Sequence, residues 1–290
     1  MGAETIQSLL RKSVAFLEEQ GVDEARRSAE MLLCSVLGVR RIDLYLRFEQ
    51  PVKEDELVLY RTLIRRRLAR EPVQYIMGDT EFYSLPFRVT PDVLIPRPET
   101  EHLAEAAIAA LRAADGEARA LDIGTGSGIL AVVLAREAPN ASLTASDISA
   151  AALAIAADNA ARNGVAERIR FLAHDILTGS PEALGGPFEV VVSNPPYIAP
   201  QDMAELQREI SEYEPRAALT DERDGLTFYR RFAELAPGLL APGGRMFLEI
   251  GMGQRPDIER IFVSAGCTCI DVIADYSGIE RVLVFGVGRG

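Results

Sequence analysis

From position 118 to 135 the chain reads strand, glycine-rich turn, helix, and no other stretch restricts its fold as much. A run at 118–121, apolar but for Arg119, leads into Asp122-Ile-Gly124-Thr125-Gly126-Ser127-Gly128, and Ile129-Leu-Ala-Val-Val-Leu-Ala135 follows. Glycines allow a ligand close to the backbone, and the start of a helix presents N–H groups with no partner in the chain. The next strand-forming run, Ser142-Leu-Thr-Ala-Ser146, ends at Asp147, 23 positions after Gly124. An acid at roughly that distance, ~20 residues on, can take the two hydroxyls of a ribose. This spacing predicts a nucleoside-containing cofactor. Further strands are expected near 169–173, 188–193 and 244–250 with helices between them, and 267–274 with 280–285 closes the chain as an antiparallel pair. That alternation predicts an α/β fold, a doubly wound sheet ending in a hairpin.

The glycines run G-x-G-x-G with Ile at 129. A dinucleotide site would show G-x-G-x-x-G or A, so a nicotinamide cofactor is disfavoured. The second informative stretch, Asn194-Pro195-Pro196-Tyr197, directly follows the strand-forming residues 188–193. It therefore sits at a strand end, where open α/β sheets carry their chemistry. The Asn194 side chain offers a carbonyl oxygen, and Pro195 offers a backbone carbonyl while lacking an N–H of its own. Two neighbouring acceptors suit a planar NH2 group, Tyr197 adds a face for it to lie on, and the prolines stiffen the turn. The expected ligand is an amide or an exocyclic amine.

Residues 1–70 read as a helical domain. Ile6, Leu9, Leu10, Val14 and Leu17 recur at helical spacing, Gly21 is a stop, Asp23 is the expected cap of a second helix ending near Gly38, and further helices are expected at 42–46 and 55–69. With no titratable cluster, this domain suits recognition better than chemistry. Its Arg61, Arg65, Arg66, Arg67 and Arg70 form the only dense basic run, which reads as a solvated helix face or a partner-binding one. Residues 71–97 read as a hairpin-like connector built from the runs 74–77, 81–83 and 87–89. A helix at about 99–113 opens the domain at 98–290. The formal net charge of −12 disfavours binding of bare nucleic acid, which needs basic surface. Three cysteines without C-x-x-C spacing and two histidines suggest neither a metal site nor a disulfide framework. No signal peptide or membrane-spanning run is evident, so no membrane association and a cytoplasmic location are expected.

The G-x-G-x-G turn with Asp122 resembles the first motif of the Rossmann-like, class I S-adenosylmethionine-dependent methyltransferases. With Asn-Pro-Pro-Tyr it resembles those that methylate planar nitrogens. Over nearly the whole chain the residues resemble one family, the release-factor glutamine N(5)-methyltransferases of the HemK or PrmC type. The resemblance rests on Pro72 to Gly78, Phe82, Val93 to Glu101, Asp122 to Gly128, Ser193 to Tyr197, Asp224-Gly-Leu226 with Tyr229-Arg230, and Glu249-Ile-Gly251 with Gln254. Arg97-Pro98-Glu99-Thr100-Glu101 is its most family-specific part. Ser84 departs from the expected glycine, and Ile176 from a frequent aromatic.

The resemblance implies a helical N-terminal domain and a Rossmann-like catalytic domain. It also implies methylation of the side-chain amide of the Gln in the Gly-Gly-Gln motif of class I peptide-chain release factors. Gly124, Thr125, Gly126, Ser127, Gly128 and Asp147 are then expected to hold S-adenosylmethionine. Asp175 is expected at the adenine amine, with Ile176 against the ring. Asn194 serves both cofactor and substrate, and Asn194, Pro195, Pro196 and Tyr197 grip the substrate. Competing expectations are an exocyclic-amine methyltransferase of DNA or RNA, and a silent cofactor-binding adaptor of release factors. Net acidity counts against the first, and the intact Asn194 and glycines against the second.

Overall fold

A computed structural model of the chain describes residues 4–288. They form two compact units, one made of residues 4–78 with 207–213, the other of 79–206 with 214–288.

The first unit is helical: α1 (Ile6–Glu19), α2 (Ala25–Leu37), α3 (Arg41–Leu46), α4 (Glu54–Leu68) and α5 (Val73–Met77), to which the chain returns much later with α9 (Arg208–Tyr213). Thr5 and Ser8 cap α1 reciprocally, each side chain accepting the other's backbone N–H. Leu17, Leu32, Leu33, Leu44 and Tyr60 are fully buried in its core. Three expectations need correction. The run 74–77 is not a strand but α5, which starts at Pro72 and is stopped by Gly78 in the left-handed region. Asp23 does not cap α2, whose N-cap is Glu24 without a side-chain bond. The arginine run is no continuous solvated face. Arg66 pairs with Glu71 at 2.6 Å, buried Arg67 with Glu209 at 2.9 Å, and Arg70 with Glu209 at 3.4 Å. Only Arg61 and Arg65 of the five are exposed. The first unit takes in residues beyond 70 because α5 adds Ile76 to its core and α9 adds Glu209 to its ion pairs.

The second unit opens with a hairpin, β1 (Asp79–Phe82) and β2 (Leu85–Arg88), then α6 (Thr100–Arg112), β3 (Ala118–Ile123), α7 (Ile129–Glu137), β4 (Ala141–Asp147), α8 (Ala150–Arg162), β5 (Ile169–Ala173) and β6 (Phe188–Ser193). It ends with α10 (Thr227–Leu239), β7 (Leu240–Glu249), α11 (Arg255–Ser264), β8 (Cys267–Ala274) and β9 (Glu280–Val287). The seven-stranded sheet has the order β5-β4-β3-β6-β7-β9-β8; the first five strands are parallel, and β9 is antiparallel to both its neighbours. Alternate residues feed opposite faces. Ala120, Val190 and Val192 pack with α6 and α7, while Leu121, Ile123 and Val191 pack with α10 and α11.

From β3 the chain winds outward through β4 and β5, then returns to build β6 and β7 on the other side of β3. The order therefore reverses between β3 and β6, and such switch points are where α/β sheets bind ligands. Ile123 pairs with Ser193 in register. The next residue on each strand is Gly124 and Asn194, so the two informative motifs emerge side by side.

The β1–β2 turn explains one departure from the family pattern. Tyr83 and Ser84 have φ of 53° and 57°, left-handed backbone that glycine adopts without strain. Ser84→Gly is expected to stabilise the chain by about 1 kcal/mol, seen as a higher thermal midpoint; an unchanged or lower midpoint would refute it.

Candidate active site

Asn194 stands at the C-terminal end of β6, half-buried, and its Nδ2 donates to Thr100 Oγ1 at 3.3 Å. Thr100, the first residue of α6 and 1% exposed, donates in turn to Glu249 Oε2 at 2.7 Å. Glu249 ends β7 and is 2% exposed; burial pushes its carboxyl up to about 7, against the hydrogen bonds of Thr100 and Asn194. Among the described residues Asn194 Oδ1 accepts no side-chain hydrogen bond, which leaves it available as an acceptor. Neither Thr100 nor Glu249 stood out in the sequence as a site residue.

The residues after Asn194 are held from below. Gln254 Nε2 donates to the Tyr197 carbonyl at 2.9 Å, and Gln254 Oε1 accepts from Gly251 N at 2.9 Å. The Tyr229 hydroxyl donates to the Glu249 carbonyl at 2.7 Å. A Cβ at Gly225 would lie 2.3 Å from the Tyr197 carbonyl oxygen, and one at Gly251 would lie 3.1 Å from the Tyr197 ring. Burial drives the half-buried Tyr197 phenol up to about 12, so it stays neutral. Arg97 binds buried Glu214 at 2.6 Å and anchors the stretch before α6. Sequence blocks far apart in the chain thus converge around one turn.

On the β3 side, Gly124 and Gly126 have φ of 73° and 54°, and a Cβ on either would meet nothing within 4 Å. Their backbone borders open space. The other turn residues also make contacts within the fold. Thr125 spends its hydroxyl on Asp122 at 2.6 Å, the Ser127 carbonyl accepts from Asn159 at 2.8 Å, and a Cβ on Gly128 would sit 2.9 Å from that of Ala156 on α8. Asp122, 1% exposed, keeps one carboxylate oxygen (Oδ1) with no partner; burial first of all raises its carboxyl to about 7. A buried oxygen of this kind calls for a donor or a cation.

Asp147 accepts from Gly126 N and from Ser149 N, both at 2.9 Å, so it pins the glycine turn from the end of β4. Next to it Ile148 is 69% exposed, an apolar side chain at the rim that sequence reasoning passed over. Asp175 accepts from Leu177 N at 2.9 Å and Thr178 Oγ1 at 2.6 Å; the Thr178 bond first lowers its carboxyl, despite some desolvation. It caps its own turn. Ile176 is 6% exposed and packs with Leu121, Ile123 and Leu184.

Comparison with known proteins agrees in two places along the chain and across its length. Residues 8–78 match the PrmC N-terminal domain, and residues 102–214 match the methyltransferase small domain. A release factor glutamine methyltransferase of Chlorobaculum tepidum is 43% identical over 284 residues, covering 96% of each chain. The chain belongs to the release factor glutamine methyltransferase family. A family member from Geobacter sulfurreducens is 43% identical over 98% of this chain and 97% of its own. Among solved structures, the protein-(glutamine-N5) methyltransferase (release factor-specific) of Alicyclobacillus acidocaldarius is 34% identical, covering 69% of this chain and 98% of that one, with a TM-score of 0.42. Asn194, Thr100 and Glu249 all fall within the stretches aligned over nearly full length with these family members.

Proposed function

We propose that this chain transfers the methyl group of S-adenosylmethionine to the side-chain amide nitrogen of a glutamine in class I peptide-chain release factors, the Gln of their Gly-Gly-Gln motif. The observation that carries this is Asn194 at the sheet's switch point, its NH2 tied to Thr100 and its Oδ1 without a side-chain partner among the described residues, with Pro195 next in the chain. The names of the family members support the substrate class.

The residues of the β3 side fit the cofactor. Unpartnered Asp122 Oδ1 suits the ammonium of its methionine end, the open backbone at Gly124 and Gly126 suits close approach, and Asp147 suits the ribose hydroxyls. Ile148, which is exposed, and Ile176, next to Asp175, are the apolar side chains for the adenine ring, and Asp175 remains the residue for the adenine amine. When bound, S-adenosylmethionine supplies an electrophilic methyl on a sulfonium.

The chain's own work is positioning. An amide nitrogen is a poor nucleophile because its lone pair is delocalised into the carbonyl. With one N–H held by Asn194 Oδ1 and the other by the Pro195 carbonyl, the nitrogen is aimed as it loses planarity, and the two acceptors favour the positive charge that develops on it. Tyr197 and Pro196 hold the flat group in place. Once the nitrogen carried the methyl that bound S-adenosylmethionine would supply, its N–H proton would be acidic and would leave to solvent without a dedicated base.

Incubation with labelled S-adenosylmethionine and either a release factor or nucleic acid tests the function. Label is expected on the release factor; label on nucleic acid alone would establish the exocyclic-amine reading instead. Asp147→Ala is expected to weaken cofactor binding by about 1.5 to 3 kcal/mol, measured by calorimetry, and unchanged affinity would remove the ribose assignment.

The helical unit is read as the recognition domain for the release factor. Ile42 and Leu46, one turn apart on α3, are 55% and 76% exposed. Replacing both by serine is expected to raise the Michaelis constant for a whole release factor and to leave cofactor affinity as it was. A constant equal to that of the native chain would exclude α3 from recognition. No helix among the described residues is long and apolar enough to cross a membrane, and the proposed substrate places the work in the cytoplasm, where translation terminates.

A further inference from the structure

We propose that Thr100 and Glu249 are positioning residues that fix the Asn194 side-chain amide with its oxygen, and not its NH2, toward the group being methylated. This rests on the site assigned above and extends it to residues that touch neither substrate nor cofactor.

The two ends of an Asn amide are nearly equal in size and opposite in hydrogen bonding. Packing alone therefore does not choose between them, and a flipped Asn194 would point donors at a substrate NH2. The choice is made by a chain of hydrogen bonds that all run one way, from the Asn194 NH2 to Thr100 and to Glu249, and from Thr100 to Glu249. A carboxylate only accepts, so the single Thr100 hydroxyl proton goes to Glu249, at 2.7 Å. Thr100 Oγ1 is then left only as an acceptor, and the Asn194 end that faces it at 3.3 Å must be the NH2. The three side chains come from the end of β6, the start of α6 and the end of β7, and Thr100 and Glu249 are almost completely buried, so water does not scramble the chain.

The direction holds only while Glu249 is ionised. A protonated Glu249 can donate to Thr100, freeing that hydroxyl to donate to a flipped Asn194. The groups facing Glu249 are Arg281 on β9, Glu99 just ahead of α6, and the Tyr197 and Tyr229 phenols. Arg281 is itself paired with Asp275 at 2.9 Å, which leaves burial dominant and the carboxyl raised to about 7. Turnover is therefore expected to rise with pH through an acid limb near 7.

The test uses the full chain, labelled S-adenosylmethionine at saturation, and both a release factor and nucleic acid as acceptors, with variants compared on whichever acceptor the native chain labels. Thr100→Val keeps the shape and removes the hydroxyl; kcat is expected to fall about 10- to 100-fold, as for other supporting-shell partners, with cofactor affinity and KM nearly unchanged. Thr100→Ser restores the hydroxyl and is expected to recover most of the loss. Glu249→Gln, which can both donate and accept, is expected to lower kcat and abolish the acid limb. Native kcat in Thr100→Val, or an acid limb that persists in Glu249→Gln, would overturn the positioning role. A loss shared equally by Thr100→Val and Thr100→Ser, or one that appears in cofactor affinity instead of kcat, would also overturn it. An acceptor other than the release factor would overturn the substrate assignment alone, because the variants would still report on Asn194.

Discussion

Asn194→Ala is expected to lower turnover by about 100-fold or more, comparable with the loss of one oxyanion-hole donor, while the fold and cofactor affinity survive. The side chain is half-buried and its removal costs its contacts to Thr100 and Glu249, whereas Thr100 keeps its bond to Glu249. Asn194→Asp separates binding from catalysis. It retains an acceptor and the shape but sets a negative charge beside the sulfonium, so ground-state cofactor binding should tighten. The sulfonium loses its positive charge during transfer, and stabilisation that the transition state does not share raises the barrier. Turnover should therefore fall as affinity rises. The substituted carboxylate also lacks the NH2 that Thr100 accepts and lies near Glu249, which adds to the loss. Tyr197→Phe should be milder because the ring face remains. Wild-type rates in Asn194→Ala, measured on a release factor under single-turnover conditions, would remove this motif from the mechanism.

The parts of the fold that could be read in the sequence are those governed by local geometry. Strand, turn and helix at 118–135 announce themselves because Gly124 and Gly126 must adopt left-handed backbone where side chains are disfavoured. Asp147 is legible by its spacing from that turn, and Asn194 by following a strand. What escaped depends on partners distant in sequence. Thr100 and Glu249 are 149 residues apart, and nothing near either one signals that they meet. The arginine run misled for the same reason: helical rotation turns Arg67 inward, where its partner Glu209 arrives 142 residues later. Gln74 to Met77 alternate like a strand, yet Pro72 and Gly78 close them into a helical turn. Exposure, which marks Ile148 as available, cannot be seen in a one-residue pattern.

Gly225→Ala should impair turnover about as severely as a loss inside the motif, although residue 225 lies 28 positions beyond Tyr197. Its φ is +74°, and an added Cβ would stand 2.3 Å from the Tyr197 carbonyl oxygen and 3.0 Å from Gln254 Nε2. The loop around it has little room to yield, because Asp221 accepts from the backbone N–H of Arg223, Gly225 and Thr227, each at 2.9 Å. The Tyr197 carbonyl must then move, and it leaves its 2.9 Å bond to Gln254 as it does. Displacement of about 1 Å in a positioning element can cost ~100-fold in rate, and left-handed backbone adds about 1 to 2 kcal/mol of strain. Cofactor affinity should hold, since Gly124, Gly126 and Asp147 belong to the other half of the site. Gly243→Ala is the control: its φ is +82° and its added Cβ would meet nothing within 4 Å, so it carries the strain without the collision. If the two variants lost stability and turnover alike, strain alone would account for both, and Gly225 would have no part in seating the Asn194–Tyr197 turn.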